Sequence, residues 1–478
     1  MSFLYSISRT ANPANVHCLW SSISDIDQYY WIGPFLVSKR VSTDNAGPEI
    51  EFYSLYDIQT YQKFGLDILK NTYIVNHACK NANMKFFNWF LDSGLQLKYD
   101  HKAINTACLN GHVNVLNWFL YSGLQLKYDC WAINWASEYG HLSVLDWFLD
   151  SGLELKYDCN AINWASINGH LHILNWWLGS GLKLKYDYEA INRASINGHL
   201  HVLDWWLASG LKLQYNYRAI GMASENEDLK VLNWWLGSGL KFKYNGQSIN
   251  WASARGHFRV LNWWLASGLK LKYDSAAIIL ASKNGRIDVL NWWLDSDLEL
   301  KYDSEAINWA SQNGRIDVLD WWLGSGLELK YDSEAINRAS KNNHLDVLNW
   351  WLDSGLELKY DSEPIIWASE NGHIDVLNWW LESGLEMKYD CGAIDSSMKN
   401  HNIQSIEWWI QSGLPLKYTE GLVSWASKSG HLSILKSWAN AGLPFDSVEK
   451  AIELASEHKR TEVLNWWREM GFGPNPKN

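Results

Sequence analysis

VLNWWLDSGLELKYD, Val347 to Asp361, carries two adjacent tryptophans ahead of a Ser-Gly break, and nearly the same words recur from Val289, Val318 and Val376. The recurrence has a fixed length. Tyr99, Tyr128, Tyr157, Tyr186, Tyr215, Tyr244, Tyr273, Tyr302, Tyr331, Tyr360, Tyr389 and Tyr418 follow one another at intervals of 29 residues without insertion. Extended backward to Lys70 and forward to Asn475, the register holds fourteen units, and a fixed period of this size is the mark of a repeat architecture. The reading divides the chain into residues 1–69 as an N-terminal cap or small non-repeat module, 70–475 as the array, and 476–478 as a tail.

Counted from its tyrosine as position 1, a unit reads Tyr-Asp-x-x-Ala-Ile-Asn-x-Ala-Ser-x-Asn-Gly-His, then Leu-x-Val-Leu-Asn-Trp-Trp-Leu-x-Ser-Gly-Leu-x-Leu-Lys. Two short helices fit this pattern. In the first, Ile307, Ala310, Ser311 and Gly314 share one face at helical spacing, and small residues there let another helix approach closely. Asn-Gly then ends the helix through a left-handed residue. In the second, positions 15, 17, 18, 20, 21 and 22 are apolar and span about 220 degrees of the helical wheel, so neighbours are expected to cover it on several sides. Of the 33 tryptophans, 24 stand at positions 20 and 21, which makes Trp350 and Trp351 stacking residues. One unit cannot bury such a surface alone, so the units must stack into a solenoid.

EAINWASQNGRIDVLDWWLGSGLELK, Glu305 to Lys330, resembles the ankyrin repeat. Ile307 stands at that family's first leucine, Ala310 and Ser311 at its alanine pair, Gly314 and Arg315 at its Gly-His, and Trp321, Trp322 and Leu323 at its leucine triplet. Gly-His itself occurs at Gly111-His112, Gly140-His141, Gly169-His170, Gly198-His199, Gly256-His257, Gly372-His373 and Gly430-His431. The resemblance implies an all-α, ankyrin-like α-solenoid of about fourteen helix-turn-helix repeats and a protein-binding role. The ankyrin unit usually has about 33 residues. The shortening here falls between Lys330 and Glu334, so hairpin fingers are expected to be shortened or absent. Short insertion-free arrays of this type are similar to ankyrin-like proteins of large DNA viruses of amoebae and of their hosts, which implies residence in the host cell cytoplasm if the chain is viral.

Composition narrows the function. With 47% hydrophobic and 19% charged residues the chain is too apolar to be disordered. A net charge of -11 argues against a general nucleic-acid or anionic-membrane binder. Cys18, Cys79, Cys108, Cys130, Cys159 and Cys391 form no CxxC pair or metal-ligand cluster, so no metal, no cofactor and an intracellular home are expected. No phosphate loop or nucleophile elbow is present, and the histidines at position 14 read as structural, since Arg286 and Arg315 replace them. The reading is non-enzymatic.

Binding requires positions that are open and that differ between near-identical units. Positions 4, 8 and 11 lie opposite the Ile307 face. Position 8 reads Thr106, Trp135, Trp164, Arg193, Met222, Trp251, Leu280, Trp309, Arg338, Trp367, Ser396 and Trp425. Trp and Arg are the residues most enriched at interaction hot spots, so Trp135, Trp164, Arg193, Trp251, Trp309, Arg338, Trp367 and Trp425 are the candidate partner-binding residues. The competing reading lays these tryptophans flat on one another as a sheltered ladder.

Charge gives a second pattern. At position 27, Lys183, Lys212, Lys241 and Lys270 are followed by Glu299, Glu328, Glu357 and Glu386. Two outcomes fit: residue copying during tandem duplication, or charge-complementary docking surfaces that support head-to-tail self-association and weaken at high salt. Residues 1–69 lack the period and contain the strand-like run Asp25 to Arg40. The family resemblance implies an alternative role for them: an adaptor recruiting a bound protein to a ubiquitin-ligase-type complex.

Overall fold

The computed structural model describes residues 2–8, 35–41, 50–419, 421–445 and 447–472. They fall into two compact units, one of residues 1–223 and 230–243, the other of 224–229 and 244–478. Each is a stack of antiparallel helix pairs repeating every 29 residues, the ankyrin-like helical solenoid that the period implies.

One repeat shows how the sequence makes its pair. Asp303 accepts the Glu305 N–H at 3.0 Å and so caps the helix Glu305–Gln312. Gly314, at φ 68°, ends it, and Ile316–Gly324 forms the second helix. A side chain on Gly314 would have its Cβ 3.0 Å from Nδ1 of His344 in the next repeat, so close packing as well as φ favours glycine. Asn343, His401 and Lys459 nevertheless hold positive φ at the same register. Ser325 then donates its hydroxyl to the Trp322 carbonyl at 2.8 Å and accepts the Leu327 N–H at 3.2 Å. The Tyr302 hydroxyl, donating to the Glu328 carbonyl at 3.1 Å, holds the short link that follows. No strand forms in that link, so the finger is absent there.

Within each unit, three kinds of hydrogen bond join neighbouring repeats wherever the residues at these positions allow them. The indole of position 21 is buried and donates to the serine at position 10 of the preceding repeat, as in Trp206 to Ser166 (3.2 Å) and Trp351 to Ser311 (3.1 Å). The pairing explains a substitution pattern. Phe119 and Phe148, which have no N–H to satisfy, face repeats with Cys79 and Cys108 at position 10. Where position 10 is Met398, the indole of Trp438 turns to the Pro444 carbonyl at 3.0 Å. The half-buried indole of position 20 donates to position 19 of the preceding repeat, as in Trp350 to Asp320 and Trp379 to Asn349, both 2.7 Å. Asn and Asp alternate at position 19 because both offer the required oxygen. The third bond joins the buried Asn134 to Asp158 at 2.9 Å, while Asp158 also accepts the Asn160 N–H at 2.8 Å.

The second helix departs from its expected cover. Positions 17, 18 and 21 are buried, as Val347, Leu348 and Trp351 show, but the leucines of position 22 stay open. Leu352 is 37% and Leu381 44% exposed. The neighbouring repeat is reached by an arc centred on position 21, and position 22 points past it.

The all-α description holds for the repeats, and strands precede them. Strands β1 (Ser2–Ser8), β2 (Phe35–Val41) and β3 (Ile50–Ser54) form an antiparallel sheet in chain order, with Ser2 opposite Val41 and Ile50 opposite Lys39. Of the run expected to be strand-like, residues 35–40 lie in β2 and 25–34 fall outside the described residues. Tyr56 stacks on His77 at 3.6 Å, and the Asn71 amide donates to the Tyr61 hydroxyl at 2.5 Å, joining residues 50–70 to the first repeat.

Candidate interaction face

The first helices place position 8 between fully buried neighbours. In Glu305–Gln312, Asn308 and Ala310 are inaccessible while Trp309 is half-buried. Trp135, Trp164, Trp251, Trp367 and Trp425 are half-buried as well, and so is Arg338, while Arg193 is exposed. Among the described residues no two position-8 tryptophans stack directly on one another, and all six stay partly exposed. The ring that meets Trp164 is Trp131 at position 4, 5.6 Å away at 29° and 40% exposed. Trp131 belongs to the position-4 residues of the same open face, where most repeats carry a polar side chain.

The two arginines of the row are already engaged. Arg193 donates to Glu189 at 2.8 Å. Arg338 donates to both oxygens of Glu305 (2.9 and 3.0 Å) and to Glu334 at 2.7 Å, and its guanidinium lies 5.4 Å from the Trp309 ring. Donation to Glu305 raises the Arg338 pKa further. Cations of the chain also cover two tryptophans: Lys283 lies 3.8 Å over Trp309, and Lys341 lies 4.5 Å over Trp367. The face is therefore a mixture of covered and open indoles.

The position-27 charges are all exposed. Lys183, Lys212 and Lys241 lie in one unit; Lys270, Glu299, Glu328, Glu357 and Glu386 lie in the other. Glu299 and Glu328 each meet a lysine two residues on at 3.8 Å, pairs whose exposure leaves them about 0–1 kcal/mol at most.

The position-14 histidines bond to backbone. His141 lies 2.9 Å from the Leu109 carbonyl and His373 2.9 Å from that of Lys341; Arg460 donates to the Lys428 carbonyl at 2.9 Å in the same place. Burial, with His172 adding to it, holds His170 below the ordinary imidazole range, and burial with His201 does so for His199. A base kept neutral in the fold takes up its proton on unfolding. Stability therefore falls as pH drops from about 6.5 through the lowered folded value. Tm is expected to be lower at about pH 5 than at about pH 7. His199→Asn should reduce that difference, because Asn402 already makes the corresponding backbone bond at 3.3 Å. An unchanged pH dependence in the variant would remove His199 as a cause.

Among the described residues no group of three or more His, Cys, Asp or Glu is arranged to hold a metal ion. No described helix is long and apolar enough to cross a membrane.

These features define a helical repeat protein of ankyrin-like build, held together by cross-repeat indoles. No family model matches the chain, and no curated protein matches it. Among solved structures it is similar to the human ASB11 ankyrin repeat domain, at 14% identity over 36% of this chain and 86% of that one, with a TM-score of 0.31. It is also similar to the pentatricopeptide repeat protein PPR10 from maize, at 13% identity over 88% of this chain and 71% of that one, with a TM-score of 0.30.

Proposed function

We propose that the protein is an intracellular, non-enzymatic interaction scaffold that binds a protein partner along its first-helix face. One observation carries this reading. Position 8 is partly open while its flanking residues are buried, and it varies among Trp, Arg, Met, Leu, Thr and Ser between units that are otherwise nearly identical. A position free to vary beside invariant packing is where specificity for a partner is least costly to build. Large apolar or cationic side chains held on a rigid frame also lose little conformational freedom on binding.

A second reading makes the chain an adaptor, the repeats holding a protein and residues 1–69 recruiting a ubiquitin-ligase-type complex. It is favoured by the three-stranded sheet before the repeats, a fold of its own kind that stacking does not require.

One affinity-capture experiment with mass spectrometry addresses both. The full chain is compared with a variant carrying Thr, the residue at 106, in place of Trp135, Trp164, Trp251, Trp309 and Trp367, and with a chain lacking residues 1–69. The scaffold reading expects the Thr variant to lose its specific prey while keeping a wild-type circular-dichroism spectrum. Unchanged prey would overturn it. The adaptor reading expects ligase components to be missing only from the truncated chain.

A further inference from the structure

We infer that the cavity of about 500 Å³ bordered by Glu138, Trp164 and Glu189 receives a lysine- or arginine-type side chain from a basic segment of the protein partner. This rests on the scaffold reading and adds the chemistry of what is bound.

The chain itself shows what this place accepts. In two repeats the lysine at position 11 lies against the position-8 indole of the next: Lys283 sits over Trp309 at 3.8 Å and Lys341 over Trp367 at 4.5 Å. In the same register Trp164 is preceded by Glu138. The intrachain cation is replaced by a carboxylate, and among the described residues no cation lies on the Trp164 ring.

Glu138 is the second mark of an open position. It is half-buried, burial raises its pKa, and among the described residues its carboxylate has no hydrogen-bond or ion-pair partner. At the same register in the other unit, Glu225 is paired with Arg255 at 2.8 Å. The remaining charges of the cavity are committed. Asp187 accepts the Asn163 amide at 2.9 Å and the Glu189 N–H at 2.9 Å, and Glu189 holds Arg193 at 2.8 Å. Three carboxylates against one guanidinium leave the lining negative, which repels an anionic or phosphorylated segment.

An incoming ammonium or guanidinium satisfies both marks at once. It lies on an indole face, which attracts cations through the ring quadrupole, and it supplies the counter-charge that Glu138 lacks. Trp131, stacked on Trp164 and 40% exposed, extends the aromatic surface for the aliphatic stem of such a side chain.

The test is calorimetric titration of the full chain, at low ionic strength, with an end-blocked peptide of lysines spaced by glycine and with its glutamate counterpart. The lysine peptide is expected to bind and the glutamate peptide not. Glu138→Gln and Trp164→Ala should each weaken binding roughly 3- to 30-fold. Glu138→Lys should abolish it by placing the chain's own cation on Trp164, as Lys283 does on Trp309. That variant keeps the fold by precedent, since lysine occupies this position in five other repeats, as Lys80, Lys283, Lys341, Lys399 and Lys428. Lysine-peptide binding that survives Glu138→Lys, or its absence from the unaltered chain, overturns the assignment. Such a failure is separate from failure of the scaffold reading, which is decided by the prey of the five-tryptophan variant.

Discussion

Trp351→Ala is expected to destabilise the protein by about 3–5 kcal/mol, and Trp350→Ala by about 1–2 kcal/mol, although the two residues are adjacent and chemically identical. Trp351 is 1% exposed, and its N–H enters the preceding repeat to reach Ser311. Removing it leaves a cavity that the flanking helices cannot close, because each is held by its own repeat. Trp350 is half-buried and loses mainly one hydrogen bond to Asp320 and part of one face. In a solenoid, stability is close to a sum of repeat and interface contributions, so the damage should be concentrated around the repeats on either side of Ser311 and Trp351. Denaturant unfolding measures the totals, and hydrogen exchange locates the loss. Trp351→Phe with Ser311→Cys copies the Phe119 and Cys79 pairing and should recover much of the stability lost by alanine. Equal losses for the two alanine variants would show that position 21 does not carry the interface.

Asp158→Ala is the second large effect, expected at about 2–4 kcal/mol, against less than about 1 kcal/mol for Asp158→Asn. The Asp158 carboxylate accepts from two repeats at once, the Asn160 N–H of its own helix and the Asn134 amide of the repeat before. Alanine removes the cap and strands the amide of a fully buried asparagine. Asparagine keeps an oxygen in place, as Asn216 already does when it accepts from Asn192 at 2.9 Å. A large loss for Asp158→Asn would mean that charge, and not acceptor geometry, holds the repeats together.

The repeat fold was legible because its determinants are local and copied. The tyrosine period, the small residues of the first helix and the Trp-Trp pair each announce a helix face within one unit. Determinants joining units were harder to read. Ser137 looked like a small packing residue, and its role as acceptor for Trp177 depends on a contact across 40 residues. Asn134 and Asp158 are 24 residues apart and belong to different units of the pattern. The exposure of Leu352 was missed because a helical wheel shows which arc is apolar and not how wide an arc the neighbour covers. The partial exposure of the position-8 side chains follows from the helical register alone. The cover on Trp309 and Trp367 comes from the lysine at position 11 of the preceding repeat, an adjacency between units that the pattern of a single unit does not show. The N-terminal sheet has no period to reveal it, and β1 meets β2 only across residues 9–34.

The central claim is that two tryptophan sets have opposite roles, position 21 closing the stack and position 8 facing outward. Hydroxyl-radical footprinting of the folded chain, read tryptophan by tryptophan by mass spectrometry, tests it most directly. The account predicts ready oxidation of Trp131, Trp135 and Trp164, slower oxidation of the lysine-covered Trp309 and Trp367, and protection of Trp177, Trp206, Trp322 and Trp351. Protection of Trp135 and Trp164 equal to that of Trp177 and Trp206 would contradict it.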